Sequence, residues 1–451
     1  MTHNHSYHNS SAMAVHDQQE PKKGLKTRHV SMISLGGVIG AGLFVGSSGA
    51  ILTAGPSVIL SYLIAGAMMF LVNISLRDIA RAAPGHGSFI SQITYALGAL
   101  PGFVAGWVYW LIWITVLGVE VIASASLMAP YIPLPFAAIE FLILAFMTGI
   151  NLLSVRHYGE FEYWFAMIKV VAIVGFIAIS VYLLGTHTVP VQENLFGHGG
   201  FLPQGLLAFM AAIPTALFSM TGSEVATIAA LETDEPDRNI ARVTRTVAVR
   251  LLVFYLTSII LILCLMPWSD QEQGVSPFLA VLNRFHVPYA ATAMGLVILS
   301  ATLSTLNSGV YATSRVVFEM AQRGDMPRFF CTVSGRAGVP RRAILASAMA
   351  ALLVSGCAAF SPHLIFAFLV SIVGTFVMFY NTLIVCSRIR LCTAQAWKGW
   401  LALGLLATAL AAMMSVAETR YQLGIGVAAL CCMAFGGWVR LRGGPMPQQQ
   451  N

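Results

Sequence analysis

Windows of about twenty predominantly apolar residues follow one another along this chain, each long enough as a helix to cross the hydrocarbon core of a bilayer. They run Val30–Leu52, Pro56–Leu76, Phe103–Met128, Leu134–Leu153, Tyr163–Leu184, Pro203–Leu231, Val243–Met266, Tyr289–Met320, Ala343–Phe360, His363–Val385, Gly399–Val416 and Leu423–Val439. In lipid every backbone N–H and C=O must find a partner within the segment, so such windows are helices. The expectation is an all-α membrane protein with 12 transmembrane helices. Composition agrees: 57% of the 451 residues are hydrophobic, 10% are charged, and the mean hydropathy is +0.77. No hydrophilic stretch is long enough for a separate soluble domain, which removes the soluble enzyme classes.

The formal charge of +7 does not point to nucleic acid, because the basic residues lie in short runs between apolar windows. With the amino terminus in the cytoplasm, Lys22–Arg28, Arg77, Arg81, Arg156, Arg238–Arg250, Arg323–Arg342, Arg388–Lys398, Arg440 and Arg442 all fall on the inner side, and Arg284 and Arg420 fall outside. That split follows the positive-inside rule and places both termini in the cytoplasm. The seven cysteines show no metal-ligand spacing and read as small buried hydrophobes. Residues 1–28 carry His3, His5, His8 and His16 among polar residues, with no apolar segment before Pro21, and read as a disordered tail. No metal site and no cofactor are expected.

Two windows contain residues that damage a helix. The first holds Gly36, Gly37, Gly40, Gly42 and Gly46 within "GGVIGAGLFVG". Small residues at four-residue spacing let helices pack closely, which is one explanation. The sixth window supports another, because "FSMTGSEVATIAALE" combines Gly222 with hydroxyls at Ser219, Thr221 and Ser223 and an acid, Glu224. Interrupted helices in corresponding positions of two halves point to an inverted-repeat transporter whose site lies where the breaks meet. The chain then divides into a first repeat over 29–184, a second over 203–390, two further helices over 399–440 and a tail over 441–451.

The stretches "GLKTRHVSMISLGGVIGAGLFVGS", "AAPGHGSFISQITYALG", "NLLSVRHYGEFEYWFAMIKVVAI", "FSMTGSEVATIAALETDEP", "LNSGVYATSR" and "QRGDMP" resemble amino acid permeases of the amino acid-polyamine-organocation superfamily, in its bacterial amino acid transporter branch. The resemblance runs from Gly24 to about Arg390 and is strongest to 4-aminobutyrate permeases, through "GLFVGS", "NLLSVRHYGEFEYW" and "TIAALETDEP". It implies a five-plus-five inverted repeat with broken helices 1 and 6, plus two C-terminal helices, importing an amino acid across the cytoplasmic membrane by proton symport. It also assigns the head group of the substrate to Ile39, Gly40, Ala41, Gly42 and Leu43, unwound over "GAG". Ser219, Met220, Thr221 and Gly222 would face the ligand, Phe218 would be a gate aromatic, and Glu224 the family's acid. Free N–H and C=O groups at such breaks suit the carboxylate and ammonium of an amino acid. The family often has Glu where Asp78 stands, and the tail beyond Arg390 matches loosely.

Ionisable residues within spans are functional candidates by default. Glu120 and Glu224 are read as proton-coupling groups, with a helix–helix hydrogen bond as the alternative. Glu140 is expected to snorkel or pack, and Arg315 with Glu319 to form an ion pair one helical turn apart. Trp107, Tyr109, Trp110 and Trp113 read as packing or belt aromatics rather than ligand contacts. Lys169 either snorkels to the headgroups or, as the resemblance implies, stands where sodium-driven relatives hold an ion. Its partners would then be carbonyls near Gly36 and Gly37 and the hydroxyl of Ser304 or Thr305. The rival readings are a permease for another neutral or aromatic amino acid and, after it, a sensor that binds amino acids without carrying them. A membrane-embedded enzyme lacks any nucleophile motif or nucleotide loop in the spans. The partners expected are an amino acid, protons and membrane lipid.

Overall fold

Helix occurs in every apolar window, and no strand occurs among the described residues of the computed structural model, which are 38–86, 88–153, 158–222, 252–332, 340–359, 361–392 and 395–442. Windows one, six, seven and nine are described in part. The first contributes α1 (Ala41–Phe44) and α2 (Ser47–Ala54), and the second α3 (Val58–Ala82). An unbroken helix from Ala41 to Ala82 would be about 60 Å long, twice the hydrocarbon thickness. Gly55 prevents this by taking φ +61°, a left-handed conformation that starts a 3-10 turn over Gly55–Ser57.

Then come α4 (Phe89–Leu97), α5 (Ala99–Met128), α6 (Phe136–Leu153) and α7 (Tyr158–Thr186). The sixth window supplies α8 (Ala208–Ala211) and α9 (Ile213–Ser219), and the seventh α10 (Leu252–Leu265). The chain continues through α11 (Pro277–Arg284), α12 (Ala290–Gln322), α13 (Arg341–Gly356), α14 (Pro362–Leu391), α15 (Ala396–Ser415) and α16 (Ala417–Arg442). Among the described residues seven stretches are long and apolar enough to span a membrane, and three shorter apolar helices accompany them.

The core is built around α5, which is buried over most of its length and packs against α12 and α14. Helix α9 lies against α14 and α3. Its closest approach is at Gly374, where a Cβ would collide with the Pro214 carbonyl. By contrast α7, α15 and α16 turn large apolar side chains outward, among them Trp164, Val171, Trp400 and Phe435. In a bilayer such faces meet lipid tails, so their exposure carries no hydrophobic penalty.

Helix α4 has no counterpart among the windows, being too short to span. Its start is fixed by a reciprocal cap, with Ser91 N–H donating to Ser88 Oγ at 3.1 Å and Ser88 N–H to Ser91 Oγ at 3.3 Å. Polar ties gather at this end of the bundle. Ser88 Oγ donates to Glu319, Arg323 Nε lies 3.2 Å from Asp325 Oδ2, and Arg440 from α16 pairs with Asp325 and donates to the Arg323 carbonyl at 3.2 Å. Burial pushes the Asp325 carboxyl above its ordinary range, against the pull of Arg323 and Arg440. Arg388 is buried and pairs with Asp78 at 3.0 Å, joining the ends of α14 and α3.

One expectation changes and one is narrowed. Arg315 lies over the Tyr311 ring, 4.9 Å from its centroid, while Glu319 turns to Ser88, so these two do not form an ion pair with each other. Of the two readings of Glu140, packing holds: it is buried, and neither carboxylate oxygen has a hydrogen-bond partner.

The Gly374 contact gives the first test. Gly374→Ala should lower the melting temperature of the purified protein by several degrees, because overpacking against backbone costs about 1–3 kcal/mol. Gly404→Ala, with nothing within 4 Å of the new Cβ, should leave it unchanged or slightly raised.

Candidate functional site

In the first window Val38, Ile39 and Gly40, the first described residues, are non-helical, and helix starts at Ala41; this stretch is the first break of the described chain. Gly40 is extended, at φ −133° and ψ −153°. The Ala41 N–H, at the first helical position, donates to both carboxylate oxygens of Glu120 on α5, each at 3.2 Å. Of the "GAG" stretch only Gly40 is therefore non-helical, and Ala41, Gly42 and Leu43 are helical. Packing explains Gly42. A Cβ on Gly42 would stand 2.7 Å from Ser219 Cα and 3.1 Å from the Phe218 ring, so Gly42 is the face on which the sixth span rests. A second interruption at Val45 and Gly46 separates α1 from α2.

In the sixth span α9 ends at Ser219. Met220 and Thr221 donate their N–H groups to Leu217 and Phe218 carbonyls at 3.0 Å in a tightened last turn, and Gly222 turns the chain at φ +101°. Phe218, Ser219, Met220 and Thr221 are buried. The hydroxyls of Ser219 and Thr221 bond back to their own helix, on Ala216 O at 2.7 Å and Leu217 O at 3.2 Å. Glu224 lies outside the described residues, as do Gly36 and Gly37.

Tyr255 of α10 ties the breaks together. Its hydroxyl donates to Ser219 O at 2.9 Å and lies 3.5 Å from Val38 O. Sequence reasoning missed it, since a tyrosine in an apolar run reads as packing.

Beside the breaks lies a group of buried charges. Lys169 of α7 is 0% exposed, Glu162 1% and Glu120 2%. Lys169 Nζ donates to Ser304 Oγ on α12 at 3.0 Å, and Ser304 Oγ donates to Glu162 Oε1 at 2.7 Å. Lys169 also interacts electrostatically with both acids. Burying isolated charges would cost several kcal/mol each, so their mutual proximity is what makes the arrangement tolerable. A lysine at this depth with these neighbours is not snorkelling. Glu162 was missed because the apolar window began one residue later, although α7 itself starts at Tyr158. Its spacing of seven from Lys169, two helical turns on one face, is the signal that could have found it.

Further along α12, Thr302 accepts from Ser124 of α5 at 2.7 Å, and Thr305 directs its hydroxyl toward Gly40 without a hydrogen-bond partner. On the α4 side, Phe89, Tyr109, Trp113 and Tyr380 form an aromatic cluster, with the Phe89 and Tyr109 rings 4.6 Å apart. Among the described residues no group of His, Cys, Asp and Glu could hold a metal ion.

Broken backbone held against buried ionisable groups, inside a bundle with lipid-facing outer helices, defines a multi-pass membrane transporter. The fold agrees with a solved Na+-coupled sialic acid symporter in a substrate-bound outward-open state, at a TM-score of 0.58 and 12% identity over 94% of this chain and 92% of that one. The amino acid permease family matches residues 29–436, and the chain belongs to it. It is 38% identical to a gamma-aminobutyric acid permease of Bacillus subtilis over 82% of this chain and 80% of the relative. It is 37% identical to a probable GABA permease of Pseudomonas aeruginosa, covering 88% of each. Identity is also 37% to the aromatic amino acid transport protein AroP of Corynebacterium glutamicum, over 88% of this chain and 91% of that protein. Members move a ligand rather than transform it, and this chain is not an enzyme.

The Gly42 contact is backbone on one side, so no rotamer can relieve it. Gly42→Val should reduce amino acid uptake by cells more than tenfold while the amount of protein in the membrane, read by immunoblot, stays within twofold of the unmodified level.

Proposed function

We propose that the protein imports an amino acid across a bacterial cytoplasmic membrane by proton symport, with 4-aminobutyrate or a related omega-amino acid as substrate. In this reading twelve spans form a five-plus-five inverted repeat followed by two helices, with both termini in the cytoplasm. The substrate head group lies at Ile39–Leu43 and against Phe218–Gly222, and Lys169, Glu120 and Glu224 take part in coupling.

The observation that carries the reading is the buried Lys169, Ser304 and Glu162 chain beside the first break. A protonated Lys169 holds α7 to α12 as a bound cation would. Two acids accompany this one base, so the cluster is neutral when one of the carboxyls carries a proton as well. Protons can thus be taken up and released here without a metal ion, which supports coupling to protons rather than sodium. The relatives named as gamma-aminobutyric acid permeases support the substrate. The similarity to AroP makes an aromatic amino acid the second reading.

Uptake into proteoliposomes tests all of this. Under an inward proton gradient and without sodium, the protein should concentrate labelled 4-aminobutyrate, and a competition panel that includes phenylalanine, tyrosine and tryptophan ranks the substrates. Strict sodium dependence would overturn the coupling, and binding without accumulation would leave a sensor. Lys169→Ala should still bind substrate but lose at least tenfold of its accumulation; full proton-driven accumulation by that variant would remove Lys169 from the mechanism.

A further inference from the structure

Glu120 occupies the place on the first break where a ligand carboxylate would bond. Its two oxygens share the Ala41 N–H. A Cβ on Gly40 would come within 2.5 Å of Glu120 Oε1 and 2.7 Å of Thr305 Oγ1, so an acid from α5 and a hydroxyl from α12 flank the same bare backbone. Thr305 is 4% exposed and its hydroxyl has no partner, although it lies within reach of the segment that holds Glu120. A buried hydroxyl in that condition is poised for an acceptor supplied from elsewhere.

We propose that Glu120 is an internal competitor of the substrate carboxylate and the residue that makes the site demand an ammonium group. On binding, the substrate carboxylate displaces Glu120 from the Ala41 N–H and accepts the Thr305 hydroxyl, and the displaced Glu120 carboxylate pairs with the substrate ammonium. The inference rests on the reading of the protein as an amino acid transporter.

The exchange conserves both charge and hydrogen bonds for a zwitterion. A carboxylate without an ammonium would bring a second anion beside Glu120 in a buried site, with no cation of its own to offset it. An amine without a carboxylate would draw Glu120 away and leave the Ala41 N–H bare. Both halves of the amino acid are therefore read by one side chain, which selects against the ligand that lacks either.

Isothermal titration of the purified full-length protein with two pairs of ligands tests this. The pairs are 4-aminobutyrate with butyrate, and phenylalanine with 3-phenylpropionate, each matched except for the ammonium. The unmodified protein should prefer the zwitterion strongly. In Glu120→Gln, whose amide keeps the size without the charge, the preference should shrink by about tenfold or more, the acid gaining and the zwitterion losing affinity. Glu120→Ala should move the same way. Thr305→Val, which breaks no hydrogen bond present in this structure, should weaken both members of the pair about tenfold with an unchanged melting temperature.

An unchanged preference in either folded Glu120 variant overturns the proposal and makes Glu120 a structural cap. If neither variant folds, Thr305→Val decides, and undiminished affinity there overturns it. Failure of the unmodified protein to bind any amino acid in a broad panel would instead defeat the transporter reading itself.

Discussion

Bare backbone inside a membrane is the constraint from which the rest of this structure follows. Val38, Ile39 and Gly40 are non-helical and buried, so the protein must supply donors and acceptors from neighbouring spans. It does so sparingly: Glu120 takes the Ala41 N–H, and Tyr255 stands over the carbonyls of Val38 and Ser219. Each partner is polar and buried, and each requires its own accommodation. For Glu120 this is the adjacent cluster of Lys169 and Glu162, bridged by Ser304.

Helix α12 is the common support. Within one turn it offers Thr302 to α5, Ser304 to α7 and Thr305 to the first break, so three elements take their spacing from one rigid rod. A helix distributes successive side chains about 100° apart, which lets a short hydroxyl-rich stretch serve several neighbours at once. The far ends of the bundle are fastened differently. There Arg388 with Asp78, and Arg440 with Asp325, are charge pairs in which the buried partner, Arg388 in one and Asp325 in the other, is compensated by an opposite charge from another helix or loop.

Much of this was legible in the amino-acid order, and the limits have physical causes. The apolar windows declared the helices because span length is fixed by the bilayer. Glycines in the first window, and the Gly–hydroxyl combination in the sixth, declared where the helices fail. Their spacing could not say which glycine is unwound and which is packed, because Gly40 and Gly42 look alike until Ser219 is brought against one of them. Lys169 stood out as a charge among apolar neighbours, but Glu162 fell just outside the window that defined its helix. The Arg440–Asp325 pair joins residues 115 positions apart, and nothing local in either segment announces the other. Helix α4 was hidden because its caps are two serines within a short polar connection.

The meeting of Gly42 with Ser219 has a mechanical consequence. Where two helices touch through side chains, rotamers yield first, and a shift on one side is absorbed before it reaches the other. Here main chain rests on main chain, with the Phe218 ring closing the seam. Such a joint has almost no slack. Displacement of the first break by a fraction of an ångström toward the sixth span would meet the Ser219 main chain directly, with no side chain of Gly42 in between to absorb it.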